Sequence, residues 1–166
     1  MPLGVREDKL REALEMKPPV ARTEMLIRRP VHEVYRAFID PTVTDNFWFS
    51  RGSDSLIQGG SVKWYWDMYG VTADVAVIAL EENQRILIHW PTPVEWQFSP
   101  RGDNSTMVTI IASGFTGTED EQVASAIDSM GGFSFTLAGC KAWLEHSIRL
   151  NLVLDHSPDH HVKRYA

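Results

Sequence analysis

The residues best equipped for chemistry gather near the end of the chain, where Asp155, His156, Asp159, His160 and His161 fall within "DHSPDHH". Imidazoles and carboxylates this close together are ordinary zinc ligands and ordinary partners in proton transfer. Zinc, however, needs its ligands held in tetrahedral geometry, and a proline-containing tail supplies no rigid frame. The stretch therefore reads as solvated, with residues 159–166 as a C-terminal tail, and neither a metal nor another cofactor is expected. His89, between Ile88 and Trp90, would face away from both if the stretch is a strand, which suits a surface or cross-strand hydrogen bond. His146 follows Glu145, where it would cap a helix or face solvent.

Cys140 is the single cysteine, so an intrachain disulfide is excluded. A reactive thiol wants a cationic group at hand, and only Lys141 adjoins it, pointing elsewhere. Cys140 reads as a small core residue. No Gly-x-Ser-x-Gly nucleophile turn is present. With no nucleophile and no acid/base pair to assign, no catalytic residue is named, and a binding protein is favoured over an enzyme.

The carboxylates sharpen that choice. Asp67 would share a strand face with Lys63, Tyr65 and Tyr69, the wetter side, and Glu95 would point outward with Gln97. Asp74 is ambiguous: Thr72, Asp74, Ala76, Ile78 and Leu80 alternate with Ala73, Val75, Val77 and Ala79, so both faces are partly apolar. An inward Asp74 would be costly unless hydrogen-bonded, and it would then orient a polar ligand group. It is the candidate polar anchor.

Apolar chemistry has stronger signals. In "VKWYWDMYG", alternation puts Trp64, Trp66 and Met68 on one side, and Trp90, Trp96 and Phe98 fall at alternate positions of later strands. Phe133 and Leu137 are bulky members of a stripe that continues through Cys140, Leu144 and Ile148 at helical spacing. Together these eight residues, Trp64 to Leu137, either line an apolar cavity or fill the space as a packed aromatic core. The cavity is the preferred reading, with a hydrophobic small molecule as the partner.

The elements that must position them follow from period and punctuation. Residues 5–16 read as a helical arm, within an N-terminal segment 1–19, stopped by Pro18-Pro19. A strand at "VARTEMLIRR" precedes a helix over "PVHEVYRAFID" and a further turn from Thr42 to Asn46. Strands are expected at about 60–69, 71–80, 85–90, 93–99 and 105–115, joined by turn-rich segments into an antiparallel meander. "TEDEQVASAIDSM" opens with a capping-box pattern, Thr118 and Glu121. Gly131-Gly132 should interrupt this helix, which then continues over "FSFTLAGCKAWLEHSIRLNLVLD" with Lys141, Glu145 and Arg149 as a solvated charge ladder. The order implies an α+β fold with a curved antiparallel sheet wrapped around one long C-terminal helix.

At 166 residues one domain is expected, over 20–158. The net charge of −6 excludes a nucleic-acid groove, and no apolar run approaches a membrane span. A lone cysteine suits a reducing, cytoplasmic location; the oligomeric state, monomer or homodimer, stays open.

The order resembles the helix-grip fold of the START-like (Bet v 1-like) superfamily, also called SRPBCC. Three stretches resemble the branch of activators of the 90-kDa heat-shock-protein ATPase. They are "RRPVHEVYRAFIDPTVTDNFW" ending at Trp48, "GGSVKWYWDMYG", and "GGFSFTLAGCKAWLEH". The resemblance implies the fold, a ligand site between sheet and long helix, and a chaperone as an alternative partner. The eukaryotic co-chaperone carries a separate N-terminal domain that grips the chaperone. Only about 20 residues precede the shared fold here, so activation of the ATPase is not expected. Stand-alone members of the branch are mostly regarded as binders of small molecules or lipids, and a few wider relatives as cyclases or hydrolases.

Overall fold

The computed structural model describes residues 17–164. The helical arm expected over 5–16 lies outside the described residues. Seven strands form one antiparallel sheet in the order β1-β7-β6-β5-β4-β3-β2. They are β1 (Ala21–Ile27), β2 (Arg51–Gly52), β3 (Ser61–Trp66), β4 (Val71–Glu81), β5 (Arg85–His89), β6 (Pro93–Pro100) and β7 (Thr106–Ala112). Alternation decides what each strand buries. Val62, Trp64 and Trp66 of β3, Val75 and Val77 of β4, Ile86 and Ile88 of β5, and Val94, Trp96 and Phe98 of β6 all face the interior.

Two details differ from expectation. β3 stops at Trp66, and Asp67–Tyr69 form a 3-10 turn ended by Gly70 at φ 62°, a left-handed conformation that glycine adopts at no steric cost. Met68 therefore sits on a turn and not on the strand. The two-residue edge strand β2, paired through Arg51 with Tyr65, carries no periodic signal of its own.

Between β1 and β2 run α1 (Val31–Ile39) and α2 (Pro41–Thr44). α1 buries Val34, Ala37 and Phe38. Asp40 opens α2 by accepting the Thr42 backbone N–H at 3.0 Å and the Thr42 hydroxyl at 2.7 Å. The hydroxyl bond leads in holding the Asp40 carboxyl below its ordinary pKa.

α3 runs unbroken from Glu119 to His146, capped by the reciprocal Thr118–Glu121 pair at 3.2 and 2.8 Å. The interruption expected at Gly131-Gly132 does not occur. Each glycine costs a helix only about 1 kcal/mol relative to alanine, a penalty that a 28-residue helix docked on a sheet absorbs. The helix also ends earlier than expected, at Ser147, whose left-handed backbone N–H returns to Trp143 O at 2.8 Å. Ile148 consequently leaves the buried stripe and is 50% exposed. After a second left-handed residue, Asn151, the chain forms the short α4 (Leu152–His156).

The charge ladder is a further correction. Lys141 Nζ donates to Leu26 O at 2.8 Å and to Glu145 Oε2 at 2.6 Å, and the Arg28 backbone N–H donates to the same carboxylate at 3.3 Å. The Glu145 side chain is only 9% exposed. Lys141 and Glu145 thus fasten the end of α3 to β1, while Arg149 donates to Asn46. No helix among the described residues is long and apolar enough to cross a membrane.

Candidate functional site

Trp48, carried on the loop after α2, is the centre of the interior. Its ring lies 4.9 Å from Trp64, 5.7 Å from Trp90, 5.9 Å from Trp66 and 6.0 Å from Trp96 and Phe133, centroid to centroid. Trp66 and Trp90 stack at 5.3 Å with an interplanar angle of 8°. Such offset and edge-on pairs each add about 0.5–1.5 kcal/mol beyond the area they bury. Trp64, Trp66, Trp96, Phe98, Phe133 and Leu137 are buried, and Met68 and Trp90 are half-buried. Over most of the sheet the rings fill the space.

The filling stops beneath the first half of α3. A cavity of about 570 Å³ opens there, and of the eight aromatic and apolar residues singled out in the sequence only Trp90 and Phe133 border it. Its floor is Trp48, Trp90, Val94 and Ala112. One wall is α3, through Ser125, Asp128, Ser129, Gly132, Phe133 and Phe135; the loops add Pro91, Thr92, Phe115 and Thr116. α4 closes the outer side with Val153, His156 and then Ser157. Tyr69, from the 3-10 turn, holds α4 in place by donating its hydroxyl hydrogen bond to Val153 O, with Leu154 O at 3.3 Å. The His156 ring rests 5.0 Å from Phe135.

The polar candidates sort clearly. Asp74 is on the outer face of the sheet with its side chain 82% exposed, 3.6 Å from Lys63 Nζ. It is not an anchor inside the grip, because β4 turns Ala73, Val75 and Val77 inward instead. Asp67 is likewise exposed and pairs with Arg51 at 3.2 Å. Glu95 points outward and meets Arg85 at 2.9 Å, and His89 is exposed. Cys140 is fully buried, and burial first, then the nearby Glu145 charge, pushes its thiol far above the ordinary value. At such a position it is an inert core group.

His156 is exposed, as expected of a solvated stretch, and its ring also rests against Phe135 at the cavity. Among the described residues no group of three His, Cys, Asp or Glu side chains is arranged to hold a metal ion. Sequence reasoning missed Trp48, Tyr69, Phe115, Asp128 and the α4 wall as cavity residues. They sit on loops, on a turn or on the exposed side of a helix, where periodicity is silent. Trp48 had one signal, its place at the end of a motif.

The family model for Activator of Hsp90 ATPase homolog 1-like proteins matches residues 28–145. Among solved structures, a Staphylococcus saprophyticus protein is 28% identical over 80% of this chain and 96% of its own, with a TM-score of 0.72. Aha1 from Colwellia psychrerythraea, a dimer in solution, is 18% identical over 77% of this chain and 97% of its own, with a TM-score of 0.66. DynU16, from the dynemicin biosynthetic locus, is 19% identical over 78% of this chain and 48% of its own, with a TM-score of 0.65. At that identity the last two likenesses speak to fold alone. No curated protein matches the chain.

Proposed function

The chain belongs to the Activator of Hsp90 ATPase homolog 1-like family, and from that premise we propose that it is a non-enzymatic binder of a hydrophobic or aromatic small molecule. The single observation that carries the proposal is the cavity of about 570 Å³ between sheet, α3 and α4. That volume is in the range of small-molecule sites, which are mostly apolar with a few placed polar groups. The outer wall at 153–157 follows the family-matched region, which ends at 145. It is a feature of this chain's own C-terminal stretch.

Gly132 offers a clean test. It borders the cavity, and a Cβ built there meets nothing within 4 Å. The wild type should bind an apolar fluorescent probe saturably. Gly132→Phe should block that binding while leaving the unfolding midpoint near wild type. Probe binding that survives the substitution, or a wild type that binds no apolar probe, would overturn the proposal.

The family match favours a second reading, engagement of a chaperone. A saturable rise in the ATP turnover of a cognate 90-kDa chaperone on adding this protein would favour it over the first. Gly132→Phe would then leave the stimulation unchanged, because the acting surface would be exterior.

A further inference from the structure

The charge lining the cavity narrows the ligand's chemistry, and this step rests on the proposed binding site. Its walls carry six Trp, Tyr and Phe side chains, yet neither Lys nor Arg borders it among the described residues. Asp128 is the one carboxylate that does, exposed on the α3 side. Among the described residues Asp128 has no ion-pair partner, whereas Asp67, Asp74 and Glu95 each have one. An acidic ligand entering this site would meet one like charge and neither Lys nor Arg; among the described residues His156 is the one lining side chain that protonation can make cationic. A basic amine would meet ring faces, which attract cations through their quadrupole, and a carboxylate at the same rim. The chain's net charge of −6 adds attraction in the same direction.

We propose that the cavity selects a cationic amine carried on an aromatic or apolar skeleton, with Asp128 as its counter-charge, and discriminates against carboxylic acids. Trp90 and Phe133 supply the ring surfaces, and Ser129 and Ser157 supply hydroxyls that a protonated amine can donate to. Asp128 is at a solvated rim, so its effect is moderate and falls with added salt.

The experiment compares three probes of one skeleton, naphthylethylamine, naphthylethanol and naphthylacetate, by calorimetric titration of the full chain. The amine should bind roughly 3- to 10-fold more tightly than the alcohol at low salt, and the acid most weakly. Asp128→Asn should remove the amine's advantage and leave the alcohol's affinity in place. Asp74→Asn, an exposed carboxylate away from the cavity, should change nothing, which separates a local contact from the general field. The acid binding as well as the amine, or an amine preference that survives Asp128→Asn, would overturn the proposal. Equal binding of all three would sink this inference alone and leave the cavity reading standing. Failure of all three to bind would sink both.

Discussion

From Glu119 to Gly132 the long helix buries one residue, Ala126, whereas from Phe133 to His146 it buries Phe133, Thr136, Leu137, Gly139 and Cys140. The first half leaves Val123, Ile127 and Met130 exposed and stands off from the sheet over the cavity. The second half is fastened: Lys141 and Glu145 reach β1, and Ser134 and Thr23 hydroxyls meet at 2.7 Å. Glycines mark the same contrast. A Cβ on Gly139 would lie 3.0 Å from Phe47 O, while a Cβ on Gly132 would meet nothing. One continuous helix thus serves as core at one end and as a cavity wall at the other. The rigid half holds the open half at its distance.

The largest break in this comparison should come from Leu137, which is fully buried. Leu137→Ala should cost about 2–5 kcal/mol in denaturant unfolding. Val123→Ala, on the open half, should stay within about 0.5 kcal/mol. Comparable losses at the two sites would erase the distinction.

Next in size is Gly139→Ala. The added methyl gains helix propensity of about 1 kcal/mol but presses on Phe47, and overpacking typically costs about 1–3 kcal/mol, so a net loss is expected. A gain in stability there would show that Phe47 yields freely.

Glu145 tests the fastening through pH. Burial pushes its carboxyl up, but the Lys141 hydrogen bond, the Arg28 N–H and the Lys141 charge together carry it below the ordinary carboxylate value. A depressed carboxylate stabilises the fold fully above its unfolded pKa, and that contribution fades as pH falls through the folded value. Glu145→Gln should therefore cost about 1–2 kcal/mol at neutral pH. The gap from wild type should close in acid, below the ordinary carboxylate range. A gap that stays constant with pH would mean the loss is one of packing.

The smallest effect has the opposite sign. Gly132→Ala should stabilise by about 0.5–1 kcal/mol, since it restrains the unfolded chain and meets no neighbour. A loss at this position would place hidden packing where the cavity is drawn.

The strands and the inward rings were legible because period-two alternation at Val62, Trp64 and Trp66, and at Val94, Trp96 and Phe98, admits one buried face. Asp74 was not, because small apolar residues occupy both faces of β4 and neighbouring strands decide between them. Gly131-Gly132 misled for a related reason: local propensity is worth about 1 kcal/mol per residue, and docking of the flanking helix outweighs it.

The α+β order, the aromatic interior, the capping box at Thr118 and the burial of Cys140 are all written in the chain's local pattern. Each depends on neighbours close along the chain or on a repeating period. Tertiary structure alone decided that the rings of Trp64, Trp66 and Trp96 fill one end of the grip while a cavity remains at the other, with Trp48 between them on its floor. It also decided that Tyr69 and α4 close that cavity and that Asp128 lines it. The Tyr69–Val153 hydrogen bond alone joins residues 84 positions apart. Whether side chains from such distant segments meet or leave a gap depends on how far the elements stand from one another, which no local pattern of residues encodes.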